Sequence, residues 1–240
     1  MHLSVIIPAY NEENRLSFTL KDIDRYLSRQ NYEYEILVVD DGSKDRTVEV
    51  VRSLVLKIKN LVITGYKNNR GKGYAVRFGM LEAKGDYRLF TDADNSTSIN
   101  QIEKMWPYFK KGYDVIIGSR DIKGAVLDPP QSWLRNFLFG EGFKLYRKII
   151  VGLWKIEDTQ CGFKGFTKKA AESIFSKTRI ERFAFDPETL VLAKKQGYKI
   201  KEIPIYWKND LSSKVNFKSI LRMAKDMLVI RWNIIKRKYN

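Results

Sequence analysis

Apolar residues dominate short runs through the first half of the chain: Leu3–Pro8, Tyr34–Val39, Leu61–Tyr66, Tyr87–Thr91 and Val115–Gly118. Runs of this length read as strands buried on both faces. Between them, residues 13–29, 45–58, 72–84 and 99–110 carry apolar positions at helical spacing. Regular strand–helix alternation predicts an α/β fold with a mostly parallel central sheet flanked by helices. The second half is less regular. Gly124, Pro129 and Pro130 mark residues 121–132 as a loop. Residues 133–154 read as an aromatic, basic helix or helix pair, Phe163–Thr167 and Lys199–Trp207 as strands, and Phe185–Lys195 as a helix. Residues 217–238 form a further amphipathic helix with a polar stripe at Lys218, Arg222 and Lys225.

Ligands of parallel sheets bind outside the carboxyl ends of the strands. Three polar clusters fall there: Pro8-Ala9-Tyr10-Asn11-Glu12, Asp40-Asp41-Gly42-Ser43 and Asp92-Ala93-Asp94. Asp92 and Asp94 are one residue apart at the end of a strand, so both carboxylates can converge on one point. Such a pair suits Mg²⁺ or Mn²⁺ that itself holds a diphosphate; a helix cap is the competing reading. In the second cluster Ser43 is expected to begin a helix and Gly42 to take an unusual φ. Asn69-Arg70-Gly71-Lys72-Gly73 joins a strand to a helix, where backbone N–H groups and basic side chains favour an anion. It has neither the P-loop nor the dinucleotide-binding spacing. Arg120 ends another strand and is placed to clamp a phosphate. Asp158 and Gln160 precede a strand and can meet sugar hydroxyls or form a turn. Asp186 reads as a helix cap with Pro187 behind it.

Absences narrow the chemistry. The only histidine is His2, and the lone Cys161 has no histidine partner. Ser-His-Asp and Cys-His nucleophiles and a His/Cys zinc site are therefore excluded. One cysteine also excludes an internal disulfide framework and fits a reducing compartment. A phosphate acceptor, already ionised near neutral pH, needs no base.

The net charge is +16, and ten of those sixteen surplus charges lie in residues 131–156 (net +4) and 217–240 (net +6). Both segments interleave basic residues with Trp, Phe, Leu and Ile, the pattern an anionic membrane surface attracts. A solvated basic face or a nucleic-acid site would share the charge. No apolar run approaches the ~20 residues a spanning helix needs. The N-terminus reads as a first strand without a signal peptide. The expected location is cytoplasmic and peripheral, on the cytoplasmic face of a membrane.

Taken in order, VIIPAYNEE (5–13), VVDDGSKDRT (38–47), NRGKGYAVRFGM (69–80), TDADNS (91–96), GSR (118–120), DTQCGFKGFT (158–167), ERFAFDPETL (181–190), EIPIYW (202–207) and SSK (212–214) resemble the inverting family 2 glycosyltransferases. More narrowly they resemble the dolichyl-phosphate β-glucosyltransferases and dolichyl-phosphate mannose synthases. The resemblance implies a GT-A fold across residues 1–240. Residues 1–120 would form a nucleotide-sugar half, 121–216 an acceptor half and 217–240 a basic C-terminal helix. It implies a nucleotide-sugar site of Pro8, Tyr10, Glu12, Asp40, Asp41, Lys72, Asp92 and Ala93, with Asp92 and Asp94 as metal ligands. Arg120 and Asp158 join the two acids as catalytic residues; Arg120, Arg135, Ser213 and Lys214 are expected around the acceptor phosphate. The position where mannose synthases often place a metal-binding Gln is Ser96 here. The chain begins directly at the first strand, where eukaryotic glucosyltransferases carry a membrane anchor. The implied reaction takes glucose from UDP-glucose to a polyprenyl phosphate. Mannose from GDP-mannose is the nearest alternative. A hydroxyl acceptor, with Asp158 or Asp186 as base, and a non-catalytic nucleic-acid or lipid-binding module also remain open; nucleic acid is not the expected partner.

Overall fold

The computed structural model describes residues 1–129, 142–208 and 217–239. The chain runs β1 (Leu3–Ala9), α1 (Leu16–Leu27), β2 (Tyr34–Asp40), α2 (Thr47–Val55), β3 (Leu61–Gly65), α3 (Lys72–Glu82), β4 (Tyr87–Thr91), a 3₁₀ turn (Ile99–Lys104), α4 (Trp106–Lys110) and β5 (Val115–Ser119). It continues through β6 (Val126–Asp128), α5 (Gly142–Val151), β7 (Phe163–Thr167), α6 (Lys168–Phe175), α7 (Phe185–Lys195), β8 (Ile200–Pro204), β9 (Tyr206–Lys208) and α8 (Phe217–Ile235).

Seven strands form one sheet in the order β3-β2-β1-β4-β7-β5-β8. Every residue of β1 and β2 is buried, which is why their sequences are mostly apolar; the exceptions Ser4 and Glu35 bond to each other, the Ser4 hydroxyl donating to Glu35 Oε1 at 2.5 Å. Successive side chains alternate between faces. Ile6 joins one core with Leu37, Val76, Met80 and Phe90, while Val5 and Ile7 join the other with Leu16, Leu20 and Ile36. Helix α1 buries Leu16, Leu20, Ile23 and Leu27, one stripe at helical spacing.

All strand pairs are parallel except those of β7, which runs antiparallel to both β4 and β5. The reversal matters for function. Thr91, the last residue of β4, pairs with Phe163, the first of β7. The segment leading into β7 therefore arrives at the same edge as the carboxyl ends of β1, β2, β4 and β5.

Most expected strands are present within a residue or two, and the readings of residues 99–110, 121–132 and 199–207 need correction. The helix expected over 99–110 is a 3₁₀ turn followed by α4, with Pro107 in the first turn of α4; proline is tolerated there and not inside a continuous helix. The strand expected over Lys199–Trp207 is two, because Ile205 pivots: its N–H donates to Ser119 O while its carbonyl accepts from Val126 N–H. That turns β9 out of the main sheet to pair with β6, which lies inside the expected loop. Helix α6, capped by the Thr167 hydroxyl accepting from Ala170 N–H at 3.3 Å, was not foreseen. Of the helix or helix pair expected over 133–154, α5 is seen, and residues 133–141 lie outside the described residues.

Candidate active site

At the end of β4 the chain turns sharply. Asn95 takes φ +55° and Ser96 N–H donates to Asp94 Oδ1 at 3.0 Å. A left-handed residue here suits Asn. The turn leaves Asp92 and Asp94 partly exposed while Ala93 is buried, its carbonyl accepting from the Thr19 hydroxyl at 2.7 Å. Lys72, at the start of α3, reaches across β1 to place its ammonium 2.5 Å from Asp92 Oδ1. Burial pulls that ammonium down, but the charges of Asp92 and Asp186 hold it above its usual range. Burial and the neighbouring Asp92 push the Asp94 carboxyl up. Two neighbouring acids with one ammonium, beside Asp92, leave a surplus of negative charge that favours an additional cation.

Behind Asp92 stands Gly162. A Cβ built there would lie 1.9 Å from Asp92 Oδ2, so only glycine lets the carboxylate keep this position. Gly162→Ala is expected to turn Asp92 away from Lys72 and cut turnover about 100-fold, the usual cost of ångström-scale misplacement. Activity and a melting curve on the same preparation check it: turnover falls and the melting temperature holds.

Next along β7, the Lys164 side chain is fully buried and pairs with Asp186, itself 3% exposed. Its ammonium also donates to Cys161 O at 2.5 Å. The cap reading of Asp186 is therefore wrong. Helix α7 begins at Phe185 behind Ala184, and Asp186 sits one residue inside, turned to Lys164. Cys161, buried among these groups, has its thiol pushed up to about 12 by burial, so it is no nucleophile.

On the other side of β7, Arg120 donates from Nε to Asp158 Oδ2 at 2.7 Å and from Nη2 to Asp158 Oδ1 at 3.0 Å. Burial alone would raise the Asp158 carboxyl; the Arg120 guanidinium outweighs it and holds the group well below the usual carboxylate range. The pair's contribution to stability is thus present above about pH 4 and fades as pH falls through that lowered value. Asp158 is consequently a poor general base, and its pairing leaves Nη1 as the edge of Arg120 that Asp158 does not take.

The nucleotide-side residues lie on the same rim. Asp41 N–H donates to Ala9 O at 2.8 Å. Its carboxylate accepts from Tyr66 Oη at 2.8 Å, Asn69 Nδ2 at 2.7 Å, and the N–H groups of Arg70 and Gly71, each at 2.8 Å. Asp41 thereby fixes the loop that launches Lys72, which takes up most of its acceptor capacity. Asp40 accepts from Ser43 N–H at 3.2 Å. Gly42 has φ +70°, with a Cβ position 2.6 Å from Lys67 O. Ser43 is not the cap of α2, which starts at Thr47; its hydroxyl accepts from Asn11 N–H at 3.0 Å. Glu12 is buried and bonded to Arg15, Pro8 is buried within β1, and Tyr10 is half-buried just beyond it. Arg135, Ser213 and Lys214 lie outside the described residues.

The donor set fits a hard divalent cation: two carboxylates, with no His or Cys among the neighbouring oxygen donors. Among the described residues no group of three or more His, Cys, Asp or Glu gathers as a metal cage, so such an ion would take its remaining ligands from phosphate or water. Sequence reasoning missed Lys164, Glu202 and Trp207. A lysine inside the apolar run Phe163–Phe166 was the visible signal for the first. Glu202 accepts the N–H groups of Glu157 and Asp158, both at 3.0 Å, and nothing local marks that.

Acids, cations and tight turns gather at the carboxyl edge of an α/β sheet with one reversed strand, the place where such sheets bind their ligands. Comparison with known proteins makes the class specific. Residues 4–175 match the model of Glycosyl transferase family 2. A dolichyl-phosphate β-glucosyltransferase of Dictyostelium discoideum is 39% identical over 98% of this chain and 75% of its own. One of Trichomonas vaginalis is 35% identical over 100% and 78%, and the human one 38% over 95% and 74%. Among solved structures, mannosyl-3-phosphoglycerate synthase from Rubrobacter xylanophilus superposes with a TM-score of 0.72 at 16% identity, covering 99% of this chain and 75% of that one. Glucosyl-3-phosphoglycerate synthase from Mycobacterium tuberculosis, in complex with Mn²⁺, UDP and glucosyl-3-phosphoglycerate, gives 0.66 at 14%, covering 97% and 79%. The chain belongs to glycosyl transferase family 2. It is a glycosyltransferase with the GT-A fold, as the sequence motifs implied.

Proposed function

We propose that this enzyme transfers glucose from UDP-glucose to the phosphate of a polyprenol of the dolichyl type, with inversion at the anomeric carbon. The observation that carries the reading is the 35–39% identity to dolichyl-phosphate β-glucosyltransferases across 95–100% of the chain. The site chemistry supports it. Asp92 and Asp94 would hold Mg²⁺ or Mn²⁺, and the chemistry such an ion would supply is neutralisation of charge on the departing diphosphate. Lys72 adds a second positive charge beside Asp92. Arg120, with Nη1 turned from Asp158, contacts the acceptor phosphate, joined by Arg135, Ser213 and Lys214. The phosphate oxygen then attacks the sugar from the face opposite the diphosphate, and positioning supplies much of the rate.

A hydroxyl acceptor would need a base, and the obvious ones are occupied. Asp158 is bound to Arg120 and Asp186 to Lys164. His2 packs in tilted and edge-on contacts against Tyr32, Tyr87 and Trp106 at the amino-terminal end of β1, the opposite end of the strand from the site. A panel of UDP-glucose, GDP-mannose and other nucleotide sugars with Mg²⁺ or Mn²⁺ and a polyprenyl phosphate, read by mass of the lipid product, tests the reading. Product from UDP-glucose is expected; product only from GDP-mannose, or only on a hydroxyl acceptor, overturns it.

The membrane is the second part of the reading. Helices α5 and α8 pack together and leave Leu145, Ile149, Leu228, Trp232 and Ile235 exposed, with Trp154 just beyond α5. Among the described residues no helix is long and apolar enough to cross a bilayer. The basic charge on this face is narrower than the sequence suggests. Arg147 is buried, donating to the carbonyls of Ile156 and Glu157, while Lys144 pairs with Asp121 and Lys148 with Glu157. Exposed Lys218, Arg222, Lys225 and Arg231 of α8 remain for anionic lipid at a cytoplasmic leaflet. Co-sedimentation is expected to rise with the anionic fraction of the vesicles and to fall with salt; equal partitioning onto neutral vesicles counts against it.

A further inference from the structure

We infer that Trp207 is a positioning residue for Arg120, the second of two supports that fix the guanidinium plane. The inference rests on the reading that Arg120 meets the acceptor phosphate. The first support is Asp158, which takes Nε and Nη2. Asp158 is itself held from behind, its N–H donating to Glu202 Oε1 at 3.0 Å, and Gln160 N–H donating to its Oδ1 at 2.9 Å. A bidentate pair fixes the edge of a guanidinium but leaves it able to hinge about the line joining the two acceptors. Trp207 closes that freedom: Arg120 Cζ lies 4.8 Å from the centre of its ring. A cation over an aromatic face gains most when the pair is shielded from water. Here the Arg120 side chain is only 21% exposed and Trp207 packs against a hydrophobic core.

Trp207 is in turn anchored to the acidic turn. Strand β9 exchanges two hydrogen bonds with Gln101, Tyr206 N–H to Oε1 at 2.8 Å and Nε2 to Tyr206 O at 2.6 Å. Lys208 N–H donates to Ser96 O at 2.8 Å, two residues beyond Asp94. On its other side β9 pairs with β6, with Leu127 opposite Trp207. The small two-stranded sheet is thus a strut between the acidic turn and Arg120. It sets the distance between the place where the diphosphate leaves and the place where the acceptor phosphate waits.

The test compares Trp207→Phe, which keeps an aromatic face, with Trp207→Leu and Trp207→Met, which fill space without one. Arg120→Ala is measured alongside, using a short-chain polyprenyl phosphate. Leu and Met are expected to raise the acceptor KM about tenfold, leave the donor KM unchanged, and be rescued by Phe. If Phe, Leu and Met all behave alike, or donor and acceptor KM rise together, Trp207 is packing only and the inference is overturned. If Arg120→Ala leaves the acceptor KM unchanged, the assignment of Arg120 itself fails and the inference falls with it.

Discussion

Asp94→Asn, and separately Asp92→Asn, is expected to lower turnover on the order of 1,000-fold while leaving the melting temperature close to that of the unaltered protein. Asn keeps the shape of Asp and removes the charge. The two acids sit half-exposed on a turn, so the fold does not depend on their charge. The reaction does, in the reading proposed above: a cation held there offsets charge on the leaving diphosphate, an effect worth several kcal/mol, and each 1.4 kcal/mol is tenfold in rate. The two variants differ in a useful way. Asp92 is the partner of Lys72 at 2.5 Å, so Asp92→Asn also frees that ammonium. Asp94 meets Lys72 only at longer range, and burial and Asp92 raise its own pKa. Steady-state rates with and without a chelator check the expectation. Either variant retaining full, chelator-resistant activity contradicts the metal assignment.

Lys164→Met is expected to cost about 3–5 kcal/mol of stability, the usual price of removing one partner from a buried ion pair. Lys164 is fully buried and Asp186 3% exposed, so the remaining carboxylate has no water to turn to. The double replacement Lys164→Met with Asp186→Leu is expected to recover much of that loss, because two apolar side chains of similar volume leave no stranded charge. Urea denaturation at neutral pH measures both. A single-site cost below about 1 kcal/mol would mean the pair is hydrated and not part of the core. Activity need not return with stability in the double variant, since Asp186 is also one of the carboxylates facing Lys72.

The readable parts of the site were those that one segment of chain specifies. Asp92 and Asp94 end a strand visible as Leu89-Phe90-Thr91, and Lys72 follows a glycine at a helix start; each sits next to its structural cue. The parallel strands were legible because burial on both faces makes each run mostly apolar. What escaped depends on pairings across the chain. Nothing near Lys164 names Asp186 as its partner, 22 residues away. Nothing near Asp158 reveals that Glu202 holds its backbone 44 residues on. Reading Asp186 as a cap followed a sound local rule, Asp before Pro at a helix start, and failed because a buried cation competed for the same carboxylate. The basic count of residues 131–156 overstated the surface for the same reason, since Arg147 is spent on backbone carbonyls inside the protein.

The central claim is that Asp92 and Asp94 join a divalent cation to the diphosphate of the donor. Calorimetric titration of UDP into the protein with Mn²⁺ present tests it most directly, without requiring turnover. Binding is expected that is lost on chelation and lost again, with Mn²⁺ present, in Asp94→Asn. UDP affinity that is unchanged by both treatments would contradict it.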